Sequence, residues 1–309
     1  MAVQRIPIRD IDRDDEYFKI SRNRIADDLR SSIREFGVLD APVLLDEGGR
    51  LRTVFGLNRL EVLAEMGAGY ADAAVLHSLE EGWYVSRLLL RSHRNEIGPV
   101  GKIRALAILD EYFGMEPDRR RGIASRGLGV PGDFATDRSL NRSVHELPRS
   151  LGDYLDCRGV PFRVIRDLLG LPAGAVEALS SWVDGFPLKV NVFRSLVDMI
   201  ADITDRDGWP GPLGAMLPGG PGGGVHNEEE LRAAMHGARY PEYEAHRRRA
   251  DDAADYFRSR GIRVAFPPFF EGDAVELTVR VARGDDPVET VKSLGALDPD
   301  RLGKLRDSI

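Results

Sequence analysis

Residues 54–63 read VFGLNRLEVL, which predicts a β-strand that passes through Gly56 directly into a helix. The first N–H groups of a helix have no partner within the helix, and the positive end of the helix dipole lies there. Asn58 and Arg59 fall in that first turn. A glycine, a helix start and an early arginine together make a good cradle for an anion such as phosphate. The string also fits an ordinary helix start with an exposed arginine, so the neighbouring elements have to decide between the two.

The residues before this stretch predict a helix and a hairpin. Apolar residues recur at helical spacing ahead of Gly37, which supplies the left-handed stop, and Asn23 is a candidate cap. These apolar residues are Ile25, Leu29, Ile33 and Phe36. Two short apolar runs, residues 42–45 and 51–55, flank a Glu-Gly-Gly turn and predict an antiparallel hairpin. Residues 71–76 predict a further strand.

Two helices are expected next. Ser78 and Glu81 have the spacing of a capping box and open a helix that runs to about His93. Pro99 then occupies the favoured first position of another helix, which Gly114 ends.

Composition narrows the class of protein. The chain has 309 residues, of which 42% are hydrophobic, so it can bury real cores in two or three domains. One cysteine, Cys157, excludes an internal disulfide and a multi-cysteine zinc site. A net charge of −7 argues against general non-specific nucleic-acid binding, although a local basic patch remains compatible with DNA. The sequence has no leader pattern or membrane-spanning run, so a cytoplasmic protein without a membrane partner is expected.

Three anchors in order resemble the N-terminal domain of ParB-type chromosome and plasmid partition proteins. They are Ser32-Ile33 with Gly37 and Pro42, then Gly56-x-x-Arg59, then Arg94 ahead of Pro99. The resemblance implies a ParB/sulfiredoxin-like fold that binds CTP, or another nucleotide, and closes a dimer into a clamp on DNA. Carried over by position, the nucleotide- and phosphate-binding residues are Gly37, Pro42, Gly56, Asn58, Arg59, Arg94 and Asn95.

The chain also departs from the family pattern. The first box usually reads G-E-R-R, whereas Leu57 and Asn58 stand at its second and third positions. The second usually reads E-N-x-x-R, and Leu90 and Arg91 replace its acidic and amide residues. Magnesium needs oxygen ligands, so we expect no metal-binding residues here and no support for metal-dependent CTP hydrolysis. Binding without turnover, or a different anionic ligand, fits these departures.

An enzyme on the same fold is the alternative class, as a nucleotide hydrolase or phosphotransferase, and a weak CTPase is its mildest form. Sulfiredoxins share the fold and carry a reactive cysteine before the arginine of this loop. No cysteine precedes Arg59, so thiol chemistry at the site is excluded.

Residues 98–207 predict an all-helical middle domain in which the family would place a helix-turn-helix. A recognition helix from Arg138 to Leu147 fits the spacing, and Ile123 is a candidate start for the first helix. The candidate DNA-binding residues are Arg119, Arg120, Arg121, Arg126, Arg138 and Arg142. Glycine and proline crowd residues 127–132 and weaken short helices, so a degenerate domain that reads no bases is an equal alternative.

Three further helices are predicted within residues 150–169, 173–182 and 192–203. Their apolar residues at helical spacing predict the core of the middle domain. These residues are Leu151, Leu155, Val164, Leu168, Val192, Leu196 and Ile200.

The last third of the chain changes character after a glycine- and proline-rich stretch. Residues 208–226 predict a flexible linker. Residues 227–309 predict a small α+β domain: helices over 228–235 and 243–260, strands over 262–266 and 274–281, and a helix over 287–294. That order resembles the ParB C-terminal dimerisation domain and implies a homodimer; the alternative is a small monomeric α+β domain whose helices fully cover the sheet. The apolar face of the second strand would be buried across the two-fold axis. This face comprises Val275, Leu277, Val279 and Val281.

The sequence thus predicts an α+β protein of three parts, residues 1–97, 98–207 and 227–309, with the linker between the last two. The resemblance implies a nucleotide-responsive, dimeric, DNA-associated factor in partition or transcription regulation. A protein-interaction scaffold without DNA binding is the third class of function that remains open.

Overall fold

The computed structural model describes residues 3–20, 25–217, 224–267, 270, 272, 274–282, 286, 288, 292 and 295–307. Its helices, five-stranded sheet and two-stranded sheet confirm the α+β fold class. The chain forms two compact units, Met1–Glu228 and Glu229–Ile309. The segments predicted as N-terminal and middle domains therefore lie together in the first unit. None of the helices in the described ranges is both long enough and apolar enough to cross a membrane.

A mixed five-stranded sheet organises the start of the chain. Its strands are β1 (Val3–Pro7), β2 (Ile11–Asp12), β3 (Val43–Glu47), β4 (Arg50–Phe55) and β5 (Tyr70–Leu76). Their spatial order is β1-β5-β3-β4-β2. Strands β3 and β4 pair antiparallel, which confirms the predicted hairpin, while β3 and β5 run parallel.

Three helices accompany this sheet. They are α1 (Asp27–Phe36), α2 (Leu57–Glu65) and α3 (Glu81–His93). Leu44 of β3 and Leu60 of α2 are fully buried in one apolar cluster, so α2 is fixed to the sheet immediately after the Gly56 junction. Helix α1 ends at Gly37, which has a φ of 73° as predicted. The predicted cap Asn23 lies outside the described residues.

The predicted capping box is wrong. Helix α3 begins at Glu81, and Glu80, in an extended conformation, occupies its N-cap position. The Glu80 side chain makes no cap hydrogen bond to this helix start.

The next helix, α4 (Pro99–Glu111), begins against a buried carboxylate. Oδ1 of Asp156, on helix α8 (Arg149–Arg158), accepts hydrogen bonds from the backbone N–H groups of Val100 at 2.7 Å and Gly101 at 3.4 Å. Asp156 thus serves as an N-cap supplied from a distant part of the sequence. It ties α8 to the part of the chain that carries the sheet.

Short helices occupy the region of the predicted helix-turn-helix. They are α5 (Pro117–Gly122), a π-helix (Ile123–Leu128), α6 (Gly132–Thr136) and α7 (Arg138–His145). The first of them begins six residues before Ile123, and the candidate recognition helix ends at His145 rather than Leu147. Helix α6 forms in the glycine- and proline-rich stretch because Phe134 and Ala135 are fully buried there, and that packing outweighs weak local propensity.

The remaining helices of the first unit follow the predicted pattern. They are α8, then α9 (Phe162–Leu169), α10 (Ala173–Gly185) and α11 (Val190–Asp207). The interval 150–169 is divided between α8 and α9 at Gly159, which has a φ of 60°. All seven apolar residues predicted to form the core of these helices are buried.

The first part of the predicted linker is packed rather than free. Residues 211–216 form a short 3-10 helix, in which Leu213 is fully buried and Met216 nearly so. The flexible-linker interpretation is therefore wrong for this portion, because its few apolar side chains find a place against α11. Residues 218–223 lie outside the described part of the chain.

The second unit contains α12 (Glu228–Arg239), α13 (Pro241–Arg258), β6 (Ile262–Ala265), β7 (Glu276–Val279) and α14 (Pro299–Arg306). Strands β6 and β7 pair antiparallel. The sequence reading missed α14, and most residues of the helix predicted over 287–294 lie outside the described residues.

The apolar face predicted to mediate dimerisation packs largely within this unit. Val275, Leu277 and Val279 lie against a cluster that includes Phe257 and Leu305. Three of the four residues therefore have a cover from their own chain, while Val281 is half exposed. The uncovered apolar face that suggested a homodimer is therefore largely absent from the described residues, and the homodimer itself stays a prediction.

Candidate phosphate-binding site

The junction between β4 and α2 requires a glycine. Gly56 has φ 96° and ψ 16°, a left-handed conformation that residues with a side chain rarely adopt. A Cβ atom at this position would lie 3.0 Å from Cα of Pro42, so a side chain would press on the neighbouring backbone. Gly56 and Pro42, which the sequence placed at one ligand pocket, are thus in close contact.

The start of α2 is open to electrostatic interaction with an anion. Gly56 is the N-cap residue of α2 and has no side chain with which to cap the helix. The carbonyl of Gly56 accepts the N–H of Arg59 at 2.9 Å, which begins the helical pattern. The N-cap residue itself therefore contributes no side-chain oxygen to offset the partial positive charge of this helix end.

Arg59 joins the helix start to the loop between α1 and β3. Its Nη2 lies 3.0 Å from Oδ2 of Asp40, a carboxylate between Gly37 and Pro42. The Asp40 side chain is 68% exposed and that of Arg59 is 27% exposed. The guanidinium that was predicted to bind phosphate is thus already paired with an exposed carboxylate. An incoming anion has to displace that carboxylate.

Arg91 is the site residue that the sequence prediction missed. It lines a narrow cleft together with Gly56 and Leu57. Its guanidinium lies 5.3 Å from the centre of the Phe55 ring, and its Nε donates to Oε2 of Glu96 at 3.2 Å. Burial lowers the pKa of Arg91, Glu96 opposes that shift, and the positive charge of Arg59 adds to it. Arg91 therefore lines the cleft beside Gly56, and Nη1 of Arg59 lies 3.5 Å from the position that a Cβ of Gly56 would take.

Arg94, predicted to converge with Arg59, lies on the surface at the end of α3. Its side chain is 64% exposed and its Nη1 is 3.9 Å from Oε1 of Glu96. Asn95 follows with a φ of 55° and is also exposed. The structure therefore brings Gly37, Pro42, Gly56 and Arg59 to the Asp40 loop, and it leaves Arg94 and Asn95 at the rim.

Helical spacing was the signal that could have identified Arg91. It follows Tyr84 by seven residues and Leu88 by three, and both of these are fully buried. Residues at those spacings share a helix face. Arg94 instead follows the exposed Leu90 by four residues and so belongs to the outer face.

The candidate DNA-binding arginines do not form one surface. Arg119 and Arg126 line a shallow groove with His93, between α3 and the π-helix. Arg138 and Arg142 line a different cleft, which also contains Glu16 and Glu111. Arg121 is exposed and pairs with Asp118 at 2.9 Å.

Arg120 is a core residue. Its side chain is 3% exposed, forms an ion pair with Asp110, and donates to the backbone carbonyls of Ala135 and Met115. A guanidinium enclosed in this way cannot reach a DNA phosphate, so Arg120 leaves the set of candidate contacts.

The donors near the candidate site suit an anion better than a metal ion. In the described ranges, no group of three or more His, Cys, Asp or Glu side chains is placed to hold a metal. The carboxylates Asp40 and Glu96 pair with Arg59 and Arg91, respectively.

Comparisons with known proteins add two solved structures. No protein-family model and no curated protein matches the chain. One is a C-terminally truncated chromosome-partitioning protein ParB from Caulobacter crescentus complexed with CTP-gamma-S. It is 18% identical to this chain, with a TM-score of 0.25, and the alignment covers 64% of this chain and 99% of the ParB chain. The C-terminally truncated ParB of that organism complexed to the centromeric parS site is 18% identical with a TM-score of 0.27, covering 63% and 97%. Similarity of this size carries no argument about the function of this chain.

Proposed function

We propose that this chain binds a nucleoside triphosphate of the CTP type at the head of α2 and uses it to regulate association with DNA, as a ParB-like factor. The observation that carries the proposal is the junction itself: a left-handed glycine as the N-cap of α2 and an arginine whose Nη2 lies 3.0 Å from an exposed carboxylate. The order of sequence anchors that resembles ParB-type proteins supports the nucleotide class. The cation pair Arg59 and Arg91 supports the phosphate end of the ligand.

Two variants that break the same ion pair test the site in opposite directions. We expect Arg59→Ala to weaken CTP binding by about tenfold or more, because hydrogen bonds to charged groups contribute roughly 1.5–3 kcal/mol. Asp40→Asn removes the competing carboxylate and leaves the arginine in place. It should strengthen binding by up to about fivefold, since exposed ion pairs contribute roughly 0.2–1 kcal/mol.

Isothermal titration calorimetry with CTP, and with ATP and GTP for comparison, measures both variants. Equal affinities in wild type and Arg59→Ala would refute the site. Steady nucleotide hydrolysis well above background in the same samples would instead favour the alternative class, an enzyme.

If the chain binds DNA, we expect phosphate contacts from the exposed arginines between residues 119 and 149, such as Arg142. Affinity should then fall steeply as salt rises, because neutralised phosphates release bound counterions. Arg142→Ala should reduce the slope of log affinity against log salt by about one, as expected for the loss of a single phosphate contact. Fluorescence anisotropy with a labelled duplex measures this slope.

Arg163→Ala serves as the control for Arg142→Ala. Arg163 is 80% exposed in the same unit but is not one of the candidate DNA-binding arginines, so its replacement should leave the slope unchanged. Failure of the wild-type chain to retain DNA even at low salt would favour the protein-interaction scaffold.

A further inference from the structure

The charge at the head of α2 is arranged differently from a site built around magnesium. Mg²⁺ prefers near-octahedral oxygen ligands and is held through carboxylates as well as substrate phosphates. Here the cleft presents Arg91 beside Gly56 and Leu57, with Arg59 close by. In the described ranges no group of three or more His, Cys, Asp or Glu side chains is placed to hold a metal, and Glu96 is bound to Arg91, so these residues do not fit a resident magnesium ion.

We propose that Arg91 acts with Arg59 to neutralise the phosphates directly, so that the nucleotide binds without a divalent cation. This inference rests on the proposed nucleotide site and adds to it a second binding arginine and a metal-free mode of binding.

The surroundings of Arg91 hold it for this role. Its guanidinium carbon lies 5.3 Å from the centre of the Phe55 ring and its Nε donates to Glu96, and these two contacts together restrict a side chain that is otherwise flexible. The bond to Glu96 uses one of the five N–H donors of a guanidinium, and the fork of Nη groups matches phosphate geometry. The side chain is 22% exposed, so its charge is less screened by water than that of a surface arginine.

A bound polyphosphate would also explain why Arg91, a cation, is kept in a partly buried position. Burial and the like charge of Arg59 both disfavour a second guanidinium there. Glu96 supplies one negative charge in return, and Asp40 belongs mainly to Arg59. A bound polyphosphate would bring the additional negative charge that this pair of arginines can accommodate.

The experiment is calorimetric titration of the full chain with CTP, once with magnesium and once with EDTA. We expect wild-type affinity to be the same in both buffers. Arg91→Leu should weaken binding in EDTA by about tenfold or more, the loss expected for hydrogen bonds to a charged group. Arg91→Lys keeps a cation but lacks the planar fork, so its CTP affinity in EDTA should lie between those of the wild type and Arg91→Leu.

Arg87→Ala is the matched control. Arg87 lies one turn earlier on α3 and also places its guanidinium over an aromatic ring, 5.5 Å from the centre of Trp83, but it is exposed and does not line the cleft. Its replacement should leave CTP affinity unchanged. Tryptophan fluorescence confirms that each variant is folded before titration.

Three results would overturn the proposal, and they are distinguishable. Wild-type binding that disappears in EDTA would show that a divalent cation is needed, although the nucleotide site itself would stand. Unchanged binding in both folded Arg91 variants would remove Arg91 from the site. If the wild type binds CTP neither with magnesium nor with EDTA, both the proposed function and this inference are refuted.

Discussion

Arg120→Ala is expected to lower the free energy of unfolding of the first unit by about 3–5 kcal/mol, the range found when one partner of a buried ion pair is removed. The variant deprives Asp110, Ala135 and Met115 of a donor in a place that water does not reach. It also leaves a space between α4, α5 and α6. All three tryptophans, Trp83, Trp182 and Trp209, belong to this unit, so urea unfolding followed by tryptophan fluorescence reports on it alone.

Arg138→Ala is the comparison that isolates burial. Arg138 also pairs with Asp110, at 2.7 Å and 3.1 Å, but its side chain is 78% exposed. Its removal should cost no more than about 1 kcal/mol, as for other exposed pairs. Equal losses in the two variants would contradict the structural role of Arg120.

Acid should destabilise this region through Asp110. The hydrogen bond from Arg138, with a further one from Arg120, holds the pKa of the Asp110 carboxyl below its usual value despite burial. A carboxyl whose pKa is lowered by folding adds stability above its unfolded pKa, and that stability is lost as the pH falls through the folded pKa. Asp110→Asn should therefore be less stable at neutral pH and show a flatter decline in acid.

Local signals in the sequence predicted the sheet and the Gly56 junction well. The Glu-Gly-Gly turn, the apolar runs beside it and the glycine before Leu57 each act within a few residues, and each is found where it was expected. Helical spacing likewise identified the buried faces of α8 to α11. In all these cases the physical cause lies within the segment that was read.

The features that sequence reasoning missed depend on distant residues. Asp156 caps α4 by accepting from Val100, 56 residues earlier, and Arg120 is buried by bonds to residues on three other segments. A basic run in the sequence does not show that Arg120 is buried while its neighbour Arg119 is exposed, because burial depends on the packing of distant segments. Family position favoured Arg94 over Arg91, whereas the faces of α3 assign the cleft to Arg91.

Gly56→Ala is the second variant with a large expected effect. At its φ of 96°, a residue with a Cβ pays about 1–2 kcal/mol for the left-handed conformation. The new methyl group would also lie 3.0 Å from Cα of Pro42, and forcing extra atoms into a packed site costs roughly 1–3 kcal/mol more. Relief of that contact would shift the start of α2 away from the Asp40 loop, so CTP affinity should fall as well.

Gly49→Ala separates the two contributions. Gly49 has a nearly identical φ of 97°, but a Cβ there would meet nothing within 4 Å among the described residues. In this variant the free energy of unfolding should fall only by the conformational contribution. CTP affinity should equal that of the wild type, because Gly49 lies in the turn between β3 and β4. The difference between the two alanine variants in urea unfolding then measures the contact with Pro42. If Gly49→Ala is destabilised as much as Gly56→Ala, or if Gly56→Ala binds CTP as the wild type does, the close approach of Pro42 and Gly56 does not shape the site.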